Sequence, residues 1–510
     1  MASRLAPLFL LLFVCCTHVG RVERPSRRFL PVPGSHIHHS LHSRRNRQCS
    51  LRPLHLLGAA SRGDLRVSSA VQDCLGWTLS TASPSTAGVR EKLSAGTGNK
   101  HFDLRSWLSA ALGNQETCAE SFQGTDDVVK SLVVGSLDTI TSLVYQVLTQ
   151  VPDAKGLAGD RWMKTGKRKL LDSAGFPIWM TAEDRRFLQG AATSFQPDVV
   201  VSADGSGDYK TVGEAVEKAP LESEKRFVIY VKKGVYKENV DIKKKKWNVV
   251  VVGDGMGATV ISGARNYVDG WTTYRSATFA VSGKGFLARG LTVENTAGPA
   301  KHQAVAFRSD SDLSALFQVE FLGYQDTLYA HSLRQFYREC RISGTIDFIF
   351  GNAAAVFQSC TIVARRPLPK QKNSVTAQGR KYVDQNTGFS IHGCNISVEG
   401  DNSSGAVAVA PAITYLGRPW KKYSRTVVMQ SYLGSGIRRR GGSSGRGTSP
   451  STRLLRGVHE LRPGLGLSGR VKWAGFHAIT DPRWRSTSPL PSSSTGTSGC
   501  RRRGSGIRRG

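Results

Sequence analysis

Two aspartates stand in company that charged side chains usually avoid. Asp326 lies in Gly323-Tyr324-Gln325-Asp326-Thr327-Leu328-Tyr329, and Asp347 in Gly344-Thr345-Ile346-Asp347-Phe348-Ile349-Phe350-Gly351. Burying a carboxylate costs several kcal/mol unless it is paired. Two such sites therefore point to carboxylates used for acid–base or nucleophilic work; a structural Asp capping a turn is the plainer alternative. Gln303 and Gln325 add amide N–H donors suited to a developing oxyanion. The step from Gln303 to Asp326 is 23 residues and that from Asp326 to Asp347 is 21, a period within the range of one solenoid coil. Residues one coil apart in a parallel β-helix stack at about 4.8 Å, so these three polar groups would line one strip.

The surrounding pattern supplies such coils. From Asp198 onward, short β-rich runs alternate with Gly, Asn and Asp: Phe227–Val231, Val249–Val252, Thr259–Ser262, Phe279–Val281, Leu291–Val293, Ala304–Phe307, Ala355–Phe357, Ser374–Ala377, Phe389–Ile391 and Thr426–Met429. One amphipathic helix is predicted over Tyr209–Ala219. Strands this short with no long helices between them exclude a doubly wound sheet and fit a sandwich, a barrel or a solenoid. Before them, Leu104, Trp107, Leu108, Ala111 and Leu112, then Val129, Leu132, Val133, Ser136, Leu137 and Ile140, recur at helical spacing and predict a hairpin or small bundle.

The chain has 510 residues, a formal net charge of +32 and 39% hydrophobic residues, enough to bury a large core. The charge suggests a polyanionic partner, but residues 438–510 carry +14 of it and residues 1–72 carry +9. Nucleic acid is accordingly the least favoured partner. Arg4 followed by the apolar run Leu8–Val14 is too short for a membrane span and reads as a signal-peptide core, implying a secreted protein. No other segment approaches about 18 apolar residues, so no membrane span is expected. No cysteine pair has C-x-x-C metal spacing, and His302 and His331 lack a second ligand, so neither a metal nor a cofactor is expected.

Lys301-His302-Gln303-Ala304-Val305, Gly323–Leu328, Arg334-Gln335-Phe336-Tyr337-Arg338-Glu339-Cys340, Thr345–Ala353 and Leu416-Gly417-Arg418-Pro419-Trp420 together resemble the motifs of plant pectinesterases, also called pectin methylesterases. The close resemblance covers 198–437, and a weaker one over 73–148 looks like the family's inhibitor-type pro-region. It implies an all-β right-handed parallel β-helix preceded by a small α-helical bundle, and hydrolysis of methyl esters on methyl-esterified pectin (homogalacturonan) by a secreted, cell-wall monomer. It also implies roles: Asp347 as nucleophile, Asp326 as general acid and base, Gln303 and Gln325 as oxyanion donors, and Arg418 as the partner of Asp347. Trp420 and Thr273 would contact substrate, and Cys340 and Cys360 match a family disulfide. Cys74 and Cys118 could clamp the helical hairpin. The layout expected is a signal peptide (1–18), an unassigned low-complexity stretch (19–66) and an inhibitor-like helical region (67–151). A linker follows (152–196), with a processing site at Arg168–Leu171, then the β-helix (197–437) and an atypical end (438–510).

After Ile437 the resemblance breaks off into Arg438-Arg439-Arg440-Gly441-Gly442, and family-like sequence returns only at Gly469–His477. GC-rich codons for Arg-Pro-Ala-Gly-Trp with one C dropped read as Arg-Arg-Arg-Gly followed by a Gly codon. The tail is therefore expected to be an altered reading frame that replaces the last coils, and resequencing of the transcript tests this. Two competing readings are a pectin glycosidase, since paired carboxylates also cleave glycosidic bonds, and a pectin-binding or inhibitor-like protein whose catalysis the altered end has impaired.

Overall fold

The structure is a computed structural model that describes residues 97, 99–121, 127–152, 175–190, 196–400 and 412–438, and the backbone of strands at 453–457 and 476–479. The expected signal peptide, the 19–66 stretch and Arg168–Leu171 lie outside the described residues.

Three parallel sheets run side by side along one axis, and the chain visits each in turn. The first begins with Val199–Val201, Phe227–Val231 and Val249–Gly253 and continues through Arg334–Arg338, Ala354–Gln358, Gly388–His392 and Arg425–Met429. The second stacks Gly234–Lys237 on Thr259–Gly263 and runs on through Arg341–Gly344, Thr361–Ala364 and Asn395–Val398. Two nine-residue strands, Leu287–Asn295 and Ser314–Leu322, bend across both sheets. The third sheet has seven strands: Val240–Ile242, Phe279–Val281, Phe307–Ser309, Leu328–Ala330, Ile349–Gly351, Asn373–Gln378 and Thr414–Gly417. This is a parallel β-helix.

Strict alternation along each short strand sorts side chains inward and outward, and in-register stacking turns each position into a row. In the third sheet Val240, Phe279, Phe307, Leu328 and Ile349 form the inward row. Asp241, Ala280, Arg308, Tyr329, Phe350 and Ala377 form the outward row. Inside the coil a chain of rings links Phe279, Phe307, Phe321, Tyr337, Phe357 and Phe389, with centroids 4.9 to 6.0 Å apart. Gly351 has φ of +123°, and a Cβ there would lie 2.0 Å from the Ala330 carbonyl oxygen, so only glycine lets these coils close.

Among the described residues, four helices accompany the coils. α1 (Lys100–Ser121) and α2 (Asp127–Gln150) form the expected hairpin, joined by a Thr141 Oγ1 to Gln115 Oε1 hydrogen bond of 2.8 Å. α3 (Ala182–Gln189) is N-capped by Thr181 and, with Phe176 and Met180, packs Leu188 against Val228, Val250, Leu287 and Phe336 on the outer face of the first sheet. Part of the stretch expected to be linker is thus built into the fold. α4 (Val212–Lys218) is shorter than predicted because Thr211 and Glu214 close a capping box there. The Glu238 carboxylate accepts from the Val212 and Gly213 N–H groups at 2.8 and 2.9 Å.

Two expectations need correction. The strand predicted over Ala304–Phe307 is Phe307–Ser309, because the chain enters it through Gly298 and His302, both at positive φ. The first sheet also does not stop before residue 438: Arg453–Gly457 pairs with Arg425–Met429, and Phe476–Ile479 pairs with Arg453–Gly457, both in parallel. Short β-prone runs within the atypical end suffice to extend a sheet whose edge offers a row of unpaired backbone groups.

Phe307 is fully buried in the middle of the ring chain, so Phe307→Ala should cost about 3 to 5 kcal/mol. Urea unfolding followed by circular dichroism should show a lowered midpoint, and an unchanged midpoint would refute the packing described.

Candidate active site

Asp326 and Asp347 each stand two residues before a strand of the third sheet, Leu328–Ala330 and Ile349–Gly351, and those strands pair as Leu328 with Ile349. Carrying this register back two residues sets Asp347 one coil from Asp326, and the Asp326 N–H donates to Ile346 O at 3.0 Å. Both aspartates have left-handed backbones, with φ of +63° and +52°, uncommon for residues other than glycine. Such strain persists where surrounding structure over-determines it and is typical of functional sites. Thr327 supplies part of that determination: its hydroxyl donates to Tyr324 O and Ser343 O, both at 3.1 Å, tying one coil's turn to the next.

Arg418 arrives from the same sheet, one residue after Thr414–Gly417, with its N–H anchored on Thr376 O at 2.9 Å. Its Nε donates to Asp347 Oδ1 at 2.8 Å and Oδ2 at 3.0 Å, and its Nη2 donates to Oδ2 at 2.5 Å. Those bonds push the Arg418 pKa up and hold it as a cation. Asp326 is buried and has no such partner among the described residues. Burial first, and the neighbouring Asp347 second, push its pKa well above the ordinary carboxylate range, only partly offset by Arg418. The two aspartates thus sit in unlike surroundings, Asp326 buried with its pKa raised and Asp347 bound by Arg418.

The other expected residues fall into three groups. The peptide after Gln303 lies beside Gln325, since the Ala304 N–H donates to Gln325 O at 3.2 Å. The register slips there, because Ala306 and Phe307 both donate to Thr327 O, so Gln303 neighbours Gln325 rather than Asp326. Neither side-chain amide has a hydrogen-bond partner among the described residues, which leaves both free for an incoming group. Trp420 packs over Gly379 with its ring 5.9 Å from Phe350, on the outward face. Thr273 precedes the short 3-10 turn Tyr274–Ser276, where its carbonyl accepts from Ser276 Oγ at 2.8 Å. The next residue, Tyr274, packs edge-on to Tyr329 and His331.

Cys340 and Cys360 are not joined. Both are buried thiols, as is Cys394, and each Sγ is directed at backbone carbonyls: Leu316 and Arg338 for Cys340, Tyr337 and Gln358 for Cys360. Cys118 is disulfide-bonded, and Cys74 lies outside the described residues. Buried His331 pairs its Nε2 with Thr117 Oγ1 at 2.9 Å, and burial lowers its pKa to about 3. Among the described residues no cluster of three His, Cys, Asp or Glu is arranged to hold a metal.

The wall of the site was missed by the sequence reading. Tyr329 and Phe350, stacked at 4.1 Å, join Ala280, Val305, Ala377, Tyr274 and Trp420 in an apolar patch on the outside of the third sheet. Each ring follows its aspartate by three residues, so the 21-residue period could have found them. Arg308 was also missed; it lies 3.3 Å from the Tyr274 ring centroid.

A carboxylate pair in unlike surroundings, two amides and an apolar face on a parallel β-helix fit a carboxylic ester hydrolase. The Pectinesterase family profile matches residues 198–487, and that of the plant invertase/pectin methylesterase inhibitor family matches 45–149. The chain is 49% identical to the pectinesterase/pectinesterase inhibitor PPE8B of Prunus persica, over 82% of this chain and 78% of that protein. It is 44% identical to pectinesterase 2.2 of Solanum lycopersicum, over 82% and 74%. The solved pectin methylesterase from carrot superposes with a TM-score of 0.55 at 50% identity, covering 58% of this chain and 92% of the carrot enzyme. The chain belongs to the pectinesterase family, with an inhibitor-type region before the catalytic fold.

The elevated Asp326 pKa has a sign that can be checked. A carboxyl raised in the folded state contributes stability below its unfolded value near 3.8, and that contribution is lost as pH rises through the folded value. Asp326→Asn should therefore gain thermal stability relative to the parent as pH climbs from 4 to about 8. A difference in melting temperature that stays flat or falls over that range would contradict the assignment.

Proposed function

We propose that this chain removes methyl esters from homogalacturonan pectin in the cell wall, releasing methanol. The observation that carries the reading is the division of labour between the two aspartates, one clamped by Arg418 and the other kept protonated by burial. The Asp347 carboxylate attacks the ester carbonyl carbon, whose oxygen takes up charge facing the Gln303 and Gln325 amides. As the bond to the methoxy oxygen breaks, Asp326 gives that oxygen its proton and methanol leaves. An anhydride then joins Asp347 to the uronate. Asp326, now ionised, takes a proton from water, which attacks the acyl carbon and returns Asp347 as a carboxylate and the sugar as a free acid. Trp420 and the Tyr329–Phe350 face offer apolar surface to the sugar rings, and Thr273 lies at the margin of that face.

Methanol release from highly methylated pectin by the secreted chain tests this. Asp347→Asn should lower the rate at least about 10³-fold, and Gln325→Ala should lower kcat by roughly 10²-fold. Methanol release undiminished in Asp347→Asn, or new reducing ends in place of methanol, would overturn it.

A further inference from the structure

Arg365 follows the strand Thr361–Ala364, two coils beyond the turn Gly323–Asp326. Its N–H donates to Gly344 O at 2.7 Å, as a regular parallel ladder requires. One coil earlier the ladder slips. The Gly323 N–H donates to Ser343 O at 3.2 Å, and continued regularly the Thr345 N–H would next reach Gly323 O; it donates instead to Tyr324 O at 2.9 Å. The approach is close, since a Cβ on Gly344 would lie 2.7 Å from Tyr324 O. The slip leaves the Gly323 carbonyl without its ladder partner, and a backbone oxygen so placed needs a donor. Arg365 supplies it. Its Nη1 donates to Gly323 O at 3.0 Å and its Nη2 to Tyr324 Oη at 3.1 Å, while the guanidinium carbon lies 4.1 Å from the centre of the Tyr324 ring. Arg365 is itself fixed from the following coil, where buried Asn373 donates from Nδ2 to Arg365 O at 2.9 Å.

The turn held in this way carries Gln325 and Asp326 on consecutive residues, and Asp326 has a left-handed backbone at its end. Thr327 ties the turn from within, through Tyr324 O and Ser343 O. Arg365 ties it from outside, through Gly323 O and the Tyr324 side chain. We propose that Arg365 is a positioning residue for the hydrolysis, fixing the Gly323–Asp326 turn so that the Gln325 amide and the Asp326 carboxyl meet the same ester. This role rests on the catalytic parts given to those two residues above. Lysine is no substitute: two donors at a fixed angle and a flat cation that lies on a ring belong to guanidinium, whereas an ammonium is a point charge. A residue that acts on the geometry of the acid and the oxyanion donor changes the rate of the chemical step and leaves the binding of sugar rings on the Tyr329–Phe350 face alone.

The test is methanol release from highly methylated pectin by the full chain and by Arg365→Lys and Arg365→Met, followed from about pH 5 to 9. In both variants kcat should fall at least about tenfold, with KM within about twofold of the parent. The upper limb of the kcat profile, where Asp326 loses its proton, should move to lower pH, because a loosened turn lets water reach a carboxyl whose pKa burial holds up. The charged groups facing that carboxyl, Asp347 and Arg418, are unchanged in these variants. Tyr324→Phe removes one of the two guanidinium bonds and keeps the ring; it should move both readouts the same way by less, and serves if the Arg365 variants unfold. A profile scaled down with its limbs in place, a rise in KM alone, or full activity in Arg365→Met would overturn the positioning role. A second measurement needs no turnover. The gain in melting temperature of Asp326→Asn over its parent between about pH 4 and 8 should shrink when both carry Arg365→Met, and a gain of the same size would overturn the role. If that gain shrinks while the parent releases no methanol, the catalytic reading fails and the coupling of Arg365 to the Asp326 turn stands. Methanol release by Arg365→Met equal to the parent's leaves catalysis and removes the role.

Discussion

Everything at the site follows from the offset of 21 residues between coils. Parallel in-register stacking repeats whatever one turn does at about 4.8 Å from the last, so an aspartate at the same corner of two coils becomes a pair of like charges. Two carboxylates that close cannot both ionise without compensation. One positive charge is supplied, and Arg418 places it on Asp347 through three hydrogen bonds. For Asp326, burial and then the neighbouring Asp347 outweigh the pull of Arg418 and favour its protonated form. The two aspartates thus differ by position in the stack, one buried and the other bound by Arg418, although the residue type is the same in both.

Holding that geometry requires a rigid wall, and the wall is made by the same repetition. Inward-facing phenylalanines fill the coil, while the outward row of the same strands carries Tyr329 and Phe350. Because successive residues of a strand point to opposite sides, the side chains that anchor the core also fix the direction of those that face the site. The left-handed backbones of Asp326 and Asp347 are tolerated because each leads directly into a strand pinned on both sides by neighbouring coils. Strain of this kind costs on the order of 1 to 3 kcal/mol per residue, comparable with the burial of a single large apolar side chain.

Much of this could be read from the amino acids. The two aspartates, the period and the short β-rich runs from Phe227 to Met429 point to stacked coils, and the motifs around Gln303, Gln325 and Arg418 point to the chemistry. What could not be read depends on which face meets what. Strand Leu328–Ala330 is only three residues long and has no alternation that distinguishes Tyr329 from a core residue. The Cys340–Cys360 link rested on resemblance; the two thiols are neighbours that hydrogen-bond without being joined, which spacing cannot tell from a disulfide. The atypical end hid its strands because Arg and Gly dominate its composition, yet pairing to an existing edge needs only backbone. The mixed burial of α1, with Asp103, Ser106 and Ser109 buried beside Ala110 and Leu112, could not be read from periodicity, which finds only the apolar side of a helix.

The accessory helices differ in what holds them. α3 is attached by Leu188 against Val228 and Leu287 and, through the segment before it, by Phe176 against Phe336. This apolar contact has no better alternative in water. α1 is attached by Asp103 to Arg334, Trp107 to Asp312, Asn386 to Ser106 and Glu116 to Lys421. Each of these groups can be satisfied by water, and ion pairs that lose hydration on docking recover little net free energy.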